Sequence, residues 1–240
     1  GVAVKIYSIV SSLIGGLLVV TIPRLAMLIG KRRIKEYTHV LQEVINSLSI
    51  LGLPAAIGLV MLSKEVILII AGKKYLDGIL SLQIITWSLI FSNYSTIFNQ
   101  CVLIPVKREA KALRNTVITG VVNVGLNFIF IPLWSYNGTA LSTVIAEFMV
   151  MFLNGWSARD YVGPILKSRR TFKSIIDSVI GCIGIIVVCM LLKFGISSLI
   201  LRTVLSVVLS VVMYGAILVF LKNEVAMEYL DKIMGRIKEG

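Results

Sequence analysis

The sequence predicts an all-α fold, a polytopic bundle of about seven transmembrane helices. Hydrophobic residues make up 57% of the 240 residues and charged residues only 15%, whereas a soluble domain carries about 25% charged residues. The apolar residues form continuous runs long enough to cross a hydrocarbon core of about 30 Å, which takes roughly 20 helical residues. Continuous rather than alternating runs favour helices over a β-barrel, and only these two structures satisfy the backbone in lipid.

Seven runs have the length and composition of membrane spans. The predicted spans are residues 6–21 with an apolar tail to residue 30, then 40–62, 79–104, 115–133, 139–156, 175–192 and 203–221. Residues 66–71 are apolar but too short to cross, and they predict an interfacial or re-entrant helix. The sequence Trp-Ser-Tyr-Asn-Gly at 134–138 predicts a tight turn between the fourth and fifth spans.

Basic residues alternate between the two sides of the predicted bundle. The connections after the first, third and fifth spans and the C-terminal tail hold 17 Lys and Arg residues, against five in the other connections. The side richer in Lys and Arg is cytoplasmic in membrane proteins. We therefore predict a multi-pass protein of a plasma membrane (bacterial inner or archaeal), with an external N-terminus and a cytoplasmic C-terminus.

The net charge of +12 does not predict a nucleic-acid partner, because the basic residues lie between spans rather than on one face. Residues 222–240 are predicted to form a basic amphipathic tail on the cytoplasmic surface. Its apolar residues have helical spacing: Val225, Met227, Leu230, Ile233 and Ile237.

The chain begins with Gly1 and enters an apolar run at once, without the features of a signal peptide. This start predicts a fragment of a longer protein. The three cysteines lie in or beside predicted spans without CxxC spacing, and the only histidine, His39, lies in a basic connection. Zinc-protease, nucleophile-elbow and phosphate-loop motifs are absent from the sequence. We therefore predict no enzyme activity, no metal and no cofactor.

Glu147 is the most unusual residue for a membrane span, since it lies midway along the fifth span without a basic residue in that span. Intramembrane acids are commonly functional. Glu147 is predicted either to contact substrate or a proton in a central cavity, or to form a structural hydrogen bond with a neighbouring helix. Asn115, near the cytoplasmic end of the fourth span, is predicted to affect neither expression nor transport.

Amide side chains form two further groups inside spans. Asn93 and Gln100 lie seven residues apart on the third span and share a face, with Asn99 beside them, and Asn123 and Asn127 lie four apart on the fourth. Amides in a span either line a polar cavity, where they bind sugar hydroxyls, or link helices with a gain of about 0.6 kcal/mol each. Helix linkage is favoured for Asn123 and Asn127, and the third span is the better candidate for a cavity.

Arg24 follows Pro23 where the first span meets the cytoplasmic side. Proline interrupts the hydrogen bonds of a helix, so a kink is predicted there. Arg24 either extends to a lipid phosphate, which is favoured, or faces the diphosphate of an anionic substrate.

Several motifs occur in an order that resembles one family of transporters. They are Ile-Pro-Arg-Leu at 22–25 before a basic connection, Leu-Pro-Ala-Ala-Ile-Gly-Leu at 53–59, Ile-Ile-Ala-Gly-Lys-Lys-Tyr-Leu at 69–76, and the segments 122–132 and 138–147. This order is similar to that of the polysaccharide-biosynthesis flippases, whose superfamily also holds multidrug extrusion proteins and the lipid II flippase. The resemblance covers residues 13–157, and residues 158–240 share only hydropathy.

The resemblance implies a fold of two helical lobes around a central cavity, of which this chain is the second lobe. Residues 1–157 would form the lobe core of five spans, residues 158–221 two further spans, and residues 222–240 the tail. A preceding N-terminal lobe is an implied partner. Such cavities are typically rich in basic residues, whereas this chain has few at mid-membrane depth.

The function implied by the resemblance is export of undecaprenyl-diphosphate-linked oligosaccharide repeat units for O-antigen, lipopolysaccharide or capsule biosynthesis. Implied partners are this lipid-linked oligosaccharide, membrane lipids, a polysaccharide polymerase and a chain-length regulator. The cavity residues would be Glu147, Asn93, Gln100, Asn123, Asn127 and Arg24. The alternative is a multidrug or cation antiporter of the same superfamily. A membrane-embedded glycosyltransferase or acyltransferase is less favoured, because the longest connection, residues 157–173, offers Asp160 as its only acid.

Overall fold

A computed structural model describes residues 1–239, with side chains described except those of Leu17 and residues 232–239. Its ten helices are α1 (Val2–Gly30), α2 (Ile34–Met61), α3 (Ser63–Ile70), α4 (Ile79–Thr86), α5 (Ser88–Thr96), α6 (Glu109–Ser157), α7 (Arg159–Leu166), α8 (Arg169–Gly195), α9 (Leu199–Phe220) and α10 (Glu224–Glu239). A 3-10 turn, Lys73–Gly78, precedes α4, and a π-helical turn, Ile97–Leu103, follows α5. The described residues contain no strand. The predicted all-α membrane bundle is confirmed.

The number of membrane spans depends on how the bent helices are counted. Within the described residues, five helical segments are long and apolar enough to cross a membrane, and α1 is a sixth if its bent halves form one span. The longest segment, α6, is not straight, because Ser135 has non-helical dihedrals (φ 50°, ψ −127°). Asn127 accepts a hydrogen bond from Ser142 across this break. The α6 helix is therefore two antiparallel arms, 109–134 and 136–157, and the total is the predicted seven.

The break in α6 depends on a glycine at its turn. A Cβ atom placed on Gly138 would overlap the backbone carbonyl of Phe130 on the first arm. Only a residue without a side chain allows this approach. The tight turn predicted at 134–138 is confirmed.

The bend in α1 lies elsewhere than predicted. It measures 41° and separates Val2–Gly16 from Leu18–Gly30, whereas the sequence placed the kink at Pro23, which lies inside the second half. The physical reason is the pair Gly15 and Gly16, because adjacent glycines combine poor helix propensity with freedom to bend.

Buried apolar residues form two clusters. The larger joins the helices from α1 to α7 around side chains such as Leu25, Tyr37 and Leu89. The smaller joins α2 to α8, α9 and the first turn of α10, around Ile50, Ile185 and other residues. Of the described helices, α2 is the main element shared by both clusters, and it therefore connects the first seven helices to the last three.

The α8 and α9 helices pack closely through glycines. A Cβ on Gly181 would lie 2.6 Å from the Tyr214 ring, and one on Gly184 would lie 2.5 Å from Ile217 Cδ1. The Tyr214 hydroxyl donates a hydrogen bond to the carbonyl oxygen of Ile50 at 2.7 Å. This bond anchors the α8–α9 pair to α2.

The connections with many basic residues meet at one end of the bundle. Arg108 donates hydrogen bonds to Asp160 at 2.7 Å and to the Ser157 carbonyl at 3.0 Å, and the first bond lowers the pKa of the Asp160 carboxyl. Lys173 contacts the carbonyl of Lys222 at the start of the tail. The connections after the third and fifth predicted spans and the tail therefore lie together.

The predicted tail begins with an ordered cap on α10. Asn223 Oδ1 accepts hydrogen bonds from the backbone of Val225 and Ala226, while its Nδ2 donates to the buried Asp177 of α8 at 2.8 Å. The first turn of α10 thus packs against α8. The side chains of Ile233 and Ile237, part of the predicted apolar face, lie outside the described residues.

Candidate functional site

A groove between α1 and the α5–π-turn segment is lined by several polar side chains, and we name it the polar groove. Its volume is about 260 Å³. The groove is lined by Ser11, Ser12, Gly15, Leu18, Val19 and Ile22 of α1 and by Ser92, Asn93, Thr96 and Gln100 of the opposite segment. The structure therefore brings together Asn93 and Gln100, which the sequence predicted to share a face.

The polar side chains of the groove retain free hydrogen-bonding capacity. Ser12 and Thr96 donate to carbonyls of their own helices at 2.8 Å, and a hydroxyl that donates keeps two lone pairs as acceptors. Asn93 Nδ2 donates to the Leu89 carbonyl at 2.6 Å, and its Oδ1 lies 4.0 Å from the position of a Cβ on Gly15. The lack of a side chain at Gly15 therefore leaves space in front of the Asn93 carbonyl.

The π-helical turn sets the direction of the groove's amide residues. It inserts an extra residue into the helical turn and carries Asn99 and Gln100, of which Gln100 is exposed. Asn99 Oδ1 is buried and has no hydrogen-bond partner among the described residues. The Tyr37 hydroxyl of α2 donates to the Cys101 carbonyl at 2.9 Å, which holds the turn in place.

Glu147 lies beside the polar groove, on the second arm of α6. It is half-buried and lies near Tyr7 of α1. Tyr7 in turn shares a hydrogen bond with Ser92 at 3.2 Å. Within the described part of the chain, Glu147 has no hydrogen-bond or ion-pair partner. The helix-linking role that the sequence left open for Glu147 therefore has no bond to support it.

Arg24 occupies a different cavity. This cavity has a volume of about 150 Å³ between α1 and α2, and it is lined by Glu43, Ser47 and Tyr229 as well as by Arg24. Leu18 lines both this cavity and the polar groove. Arg24 lies two residues beyond Ile22, the last α1 residue of the polar groove, which corresponds to about 3 Å along a helix. Arg24 thus lies beyond one end of the polar groove.

Asn123 and Asn127 lie away from the polar groove, between the two arms of α6. Asn127 donates to Asn123 Oδ1 at 3.2 Å and accepts from Ser142 at 2.7 Å. The three side chains therefore link the arms to each other. The structure does not bring Asn123 and Asn127 together with Asn93 and Gln100.

An apolar cavity of about 450 Å³ lies between α2, α8 and α9. Its lining includes Pro54, Ala55, Val207 and Val211, and it reaches Val10 of α1. The position of this cavity, between the two apolar clusters, was not predicted from the sequence. Only the assembled helices define it, because its lining residues are spread over 200 positions of the chain.

Three polar contacts of the interior were also not predicted. Asn115 donates to Asn154 Oδ1 at 3.0 Å, and Asn154 donates to Ser95 of α5 at 3.0 Å. Arg202, at the start of α9, forms an ion pair with the buried Glu65 of α3 at 3.0 Å. The alternation of basic residues places the connections that hold Glu65 and Arg202 on the same side of the membrane. The sequence contains no other indication of this ion pair.

The family match agrees with this architecture. A family model described as "Lipid II flippase MurJ" matches residues 2–212, which is most of the 240-residue chain. No curated protein matches the chain. The match confirms the superfamily that the resemblance implied, and it identifies the MurJ branch rather than the polysaccharide flippases in particular. The chain belongs to the lipid II flippase MurJ family, whose members are membrane transporters of a lipid-linked precursor and not enzymes.

Proposed function

We propose that this chain is one lobe of a flippase that moves a polyprenyl-diphosphate-linked saccharide across the membrane. The observation that carries the proposal is the polar groove, which places hydroxyl and amide groups at the side of a membrane bundle. Ser12 and Gln100 are exposed at its rim. Polar groups in a membrane protein face protein or a water-filled cavity rather than lipid, so this rim is expected to face a second lobe.

The chemistry of the polar groove suits a sugar. Its polar lining consists of serines, a threonine and two amides, without a charged side chain. Neutral donors and acceptors bind sugar hydroxyls, whereas a diphosphate requires cations or helix N-termini. The nearest cation on α1 is Arg24, which lies about 3 Å along the helix beyond Ile22, the last α1 residue of the groove lining. We therefore assign the saccharide to the polar groove and the diphosphate to the end where Arg24 lies.

The apolar cavity supports a lipid-linked substrate. A polyprenyl chain is a hydrocarbon, and the lining of this cavity between α2, α8 and α9 is almost entirely apolar. A substrate with its saccharide in the polar groove and its hydrocarbon chain near α8 and α9 would use both features. This arrangement is expected of an amphipathic lipid precursor rather than of a small cation or drug.

Two saccharides fit the proposed class of substrate. The family description names lipid II, which makes lipid II the first substrate to test. The motif order in residues 13–157 makes an oligosaccharide repeat unit for surface polysaccharide the second. Both are lipid-linked saccharides, and the proposed groove chemistry applies to both.

The test is transport by the whole protein that contains this chain, reconstituted in liposomes with fluorescent lipid II or a fluorescent lipid-linked oligosaccharide. Ser12→Leu and Gln100→Leu fill the polar groove with apolar side chains, and each is expected to reduce transport several-fold. The matched control is Thr116→Val, because the Thr116 hydroxyl donates to Ala112 within its own helix. Unchanged transport by both groove variants at equal protein level would overturn the assignment of the groove.

The role as one lobe is tested separately. The 240-residue chain alone, in liposomes, is expected to move neither substrate faster than empty vesicles, because a one-sided groove does not enclose a cavity. Transport by the isolated chain would overturn the two-lobe proposal and leave the flippase activity standing.

A further inference from the structure

The interface between α2 and α8 contains a polar stripe on each helix. On α2, Gln42, Asn46 and Ile50 lie four residues apart and therefore on one face. Gln42 Nε2 donates to Thr171 of α8 at 3.3 Å, and the carbonyl of Ile50 accepts from Tyr214 at 2.7 Å. Asn46 lies midway between these two contacts, on the face of α2 that packs against α8 and α9.

The facing stripe on α8 is formed by Thr171, Ser174 and Ser178, at spacings of three and four residues. The Ser178 side chain lies near the Tyr214 hydroxyl. Both α2 and α8 run away from the end that carries the basic connections, so they are parallel. Two contacts set the register of α2 against α8. Gln42 contacts Thr171, and Ile50 is linked through Tyr214 to Ser178. In this register Asn46 and Ser174 occupy the same layer of the interface.

The polar atoms in this layer have no partner in the described part of the protein. Asn46 is fully buried and Ser174 is 3% exposed. Neither the amide nitrogen nor the amide oxygen of Asn46 forms a hydrogen bond, and neither does the Ser174 hydroxyl. Most buried polar groups in proteins are paired with protein or ordered water. Three unpaired atoms in one layer therefore indicate a small bound ligand.

The chemistry of the three atoms selects the ligand. The Asn46 nitrogen needs an acceptor, its oxygen needs a donor, and the Ser174 hydroxyl takes either role. A metal ion would satisfy only the oxygens. The nearest acid on α8 is Asp177, whose Oδ2 is already bonded to Asn223. Water both donates and accepts, and buried waters typically make about three hydrogen bonds.

We propose that Asn46 and Ser174 form a buried hydration site, in which one or more water molecules bridge α2 and α8. The site lies one helical turn from Gln42, near the end of the bundle where the basic connections meet, and that end provides the route for water. The bridge joins the larger helix cluster to the α8–α9 pair. The proposal does not depend on which substrate is transported.

Thermal unfolding of the full chain in detergent tests the bridge through a double-mutant cycle. Asn46→Leu keeps the volume and removes the amide, and it is expected to lower the Tm by a few degrees. Ser174→Ala added to Asn46→Leu is expected to lower the Tm no further, because the two groups act through shared water. Thr203→Val, whose hydroxyl bonds within α9, is the control and should add its effect independently. A rise in Tm for Asn46→Leu, or additive effects of the two site variants, would overturn the proposal.

Radiolytic labelling provides a second test on the same chain. An X-ray pulse converts bound water into hydroxyl radicals, which oxidise the adjacent side chains. We expect Ile50 to be oxidised faster than Leu89, an aliphatic side chain of similar reactivity that is fully buried in the other cluster. This excess should disappear in the variant that combines Asn46→Leu and Ser174→Ala. Equal oxidation of Ile50 and Leu89 in the unaltered chain would show that the layer is dry.

Discussion

Asn115 and Asn154, which are 39 residues apart in the sequence, are hydrogen-bonded between the two arms of α6 at 3.0 Å. Asn115 is fully buried and also donates to Ser157 at 3.1 Å. Asn154 extends the chain of bonds to Ser95 of α5. This network ties both arms to the helix that lines the polar groove.

Asn115→Ala is therefore expected to destabilise the protein by about 1–3 kcal/mol, since it leaves the buried Asn154 carbonyl without its donor. The measurement is thermal or denaturant unfolding in detergent. Thr116→Val is the matched control, because the Thr116 hydroxyl bonds within its own helix. Equal stability of the Asn115 variant and the control would contradict the role of the network. The expectation from sequence that Asn115 is inert is not supported by these contacts.

Glu147→Gln is expected to leave expression equal or higher while lowering transport several-fold. A charge at mid-membrane depth costs about 2.5–3.5 kcal/mol on insertion scales, so its removal should not harm insertion. The measurement is transport by the whole protein at matched protein level. Glu109→Gln, an exposed acid in the first turn of α6, is the control. Normal transport by Glu147→Gln would move the site to Asn93 and Gln100 alone.

The buried ion pair between Glu65 and Arg202 predicts that a double variant is more stable than the single variant. Glu65→Gln is expected to cost about 3–5 kcal/mol in stability, because it leaves the Arg202 charge without its partner. Replacing both residues by Leu is expected to recover most of this loss. Glu36→Gln, in an exposed pair with Arg33, should change stability by less than about 1 kcal/mol. A double variant as unstable as the single one would argue against the pair.

Single cysteines test the predicted orientation. A cysteine at Lys35, Lys111 or Lys167 is expected to react with a membrane-impermeant maleimide only from the cytoplasmic side, and one at Ser135 only from outside. Lys167 is preferred to its neighbour Ser168, which caps α8 and accepts a hydrogen bond from Gln42. External labelling at Lys111 would contradict the alternation of basic residues on which the orientation depends.

The sequence was sufficient for features that depend on local composition. Apolar runs predicted the seven membrane segments, and the glycine in 134–138 predicted the turn of α6. Long-range pairs could not be predicted, because nothing local distinguishes Asn115, which bonds across the arms, from any polar residue near the end of a span. Proline is the stronger single signal for a kink, so the sequence predicts the bend of α1 at Pro23, whereas the structure bends at the adjacent glycines. The polar groove was predicted in part: the face of Asn93 and Gln100 was recognised, and the α1 serines opposite them were not.

The polar stripe of α2 also has a consequence for biosynthesis. Synthesis proceeds from the N-terminus, so α2 enters the membrane before α8 exists. About 130 residues separate Asn46 from Ser174, and at roughly 5–20 residues per second the ribosome needs about 6–26 s to complete that interval. During this time Gln42 and Asn46 lack the helix that later covers them. Nascent α2 must therefore be sheltered by the insertion machinery or by helices already made, and its dwell time beside the translocon should exceed that of an uninterrupted apolar helix.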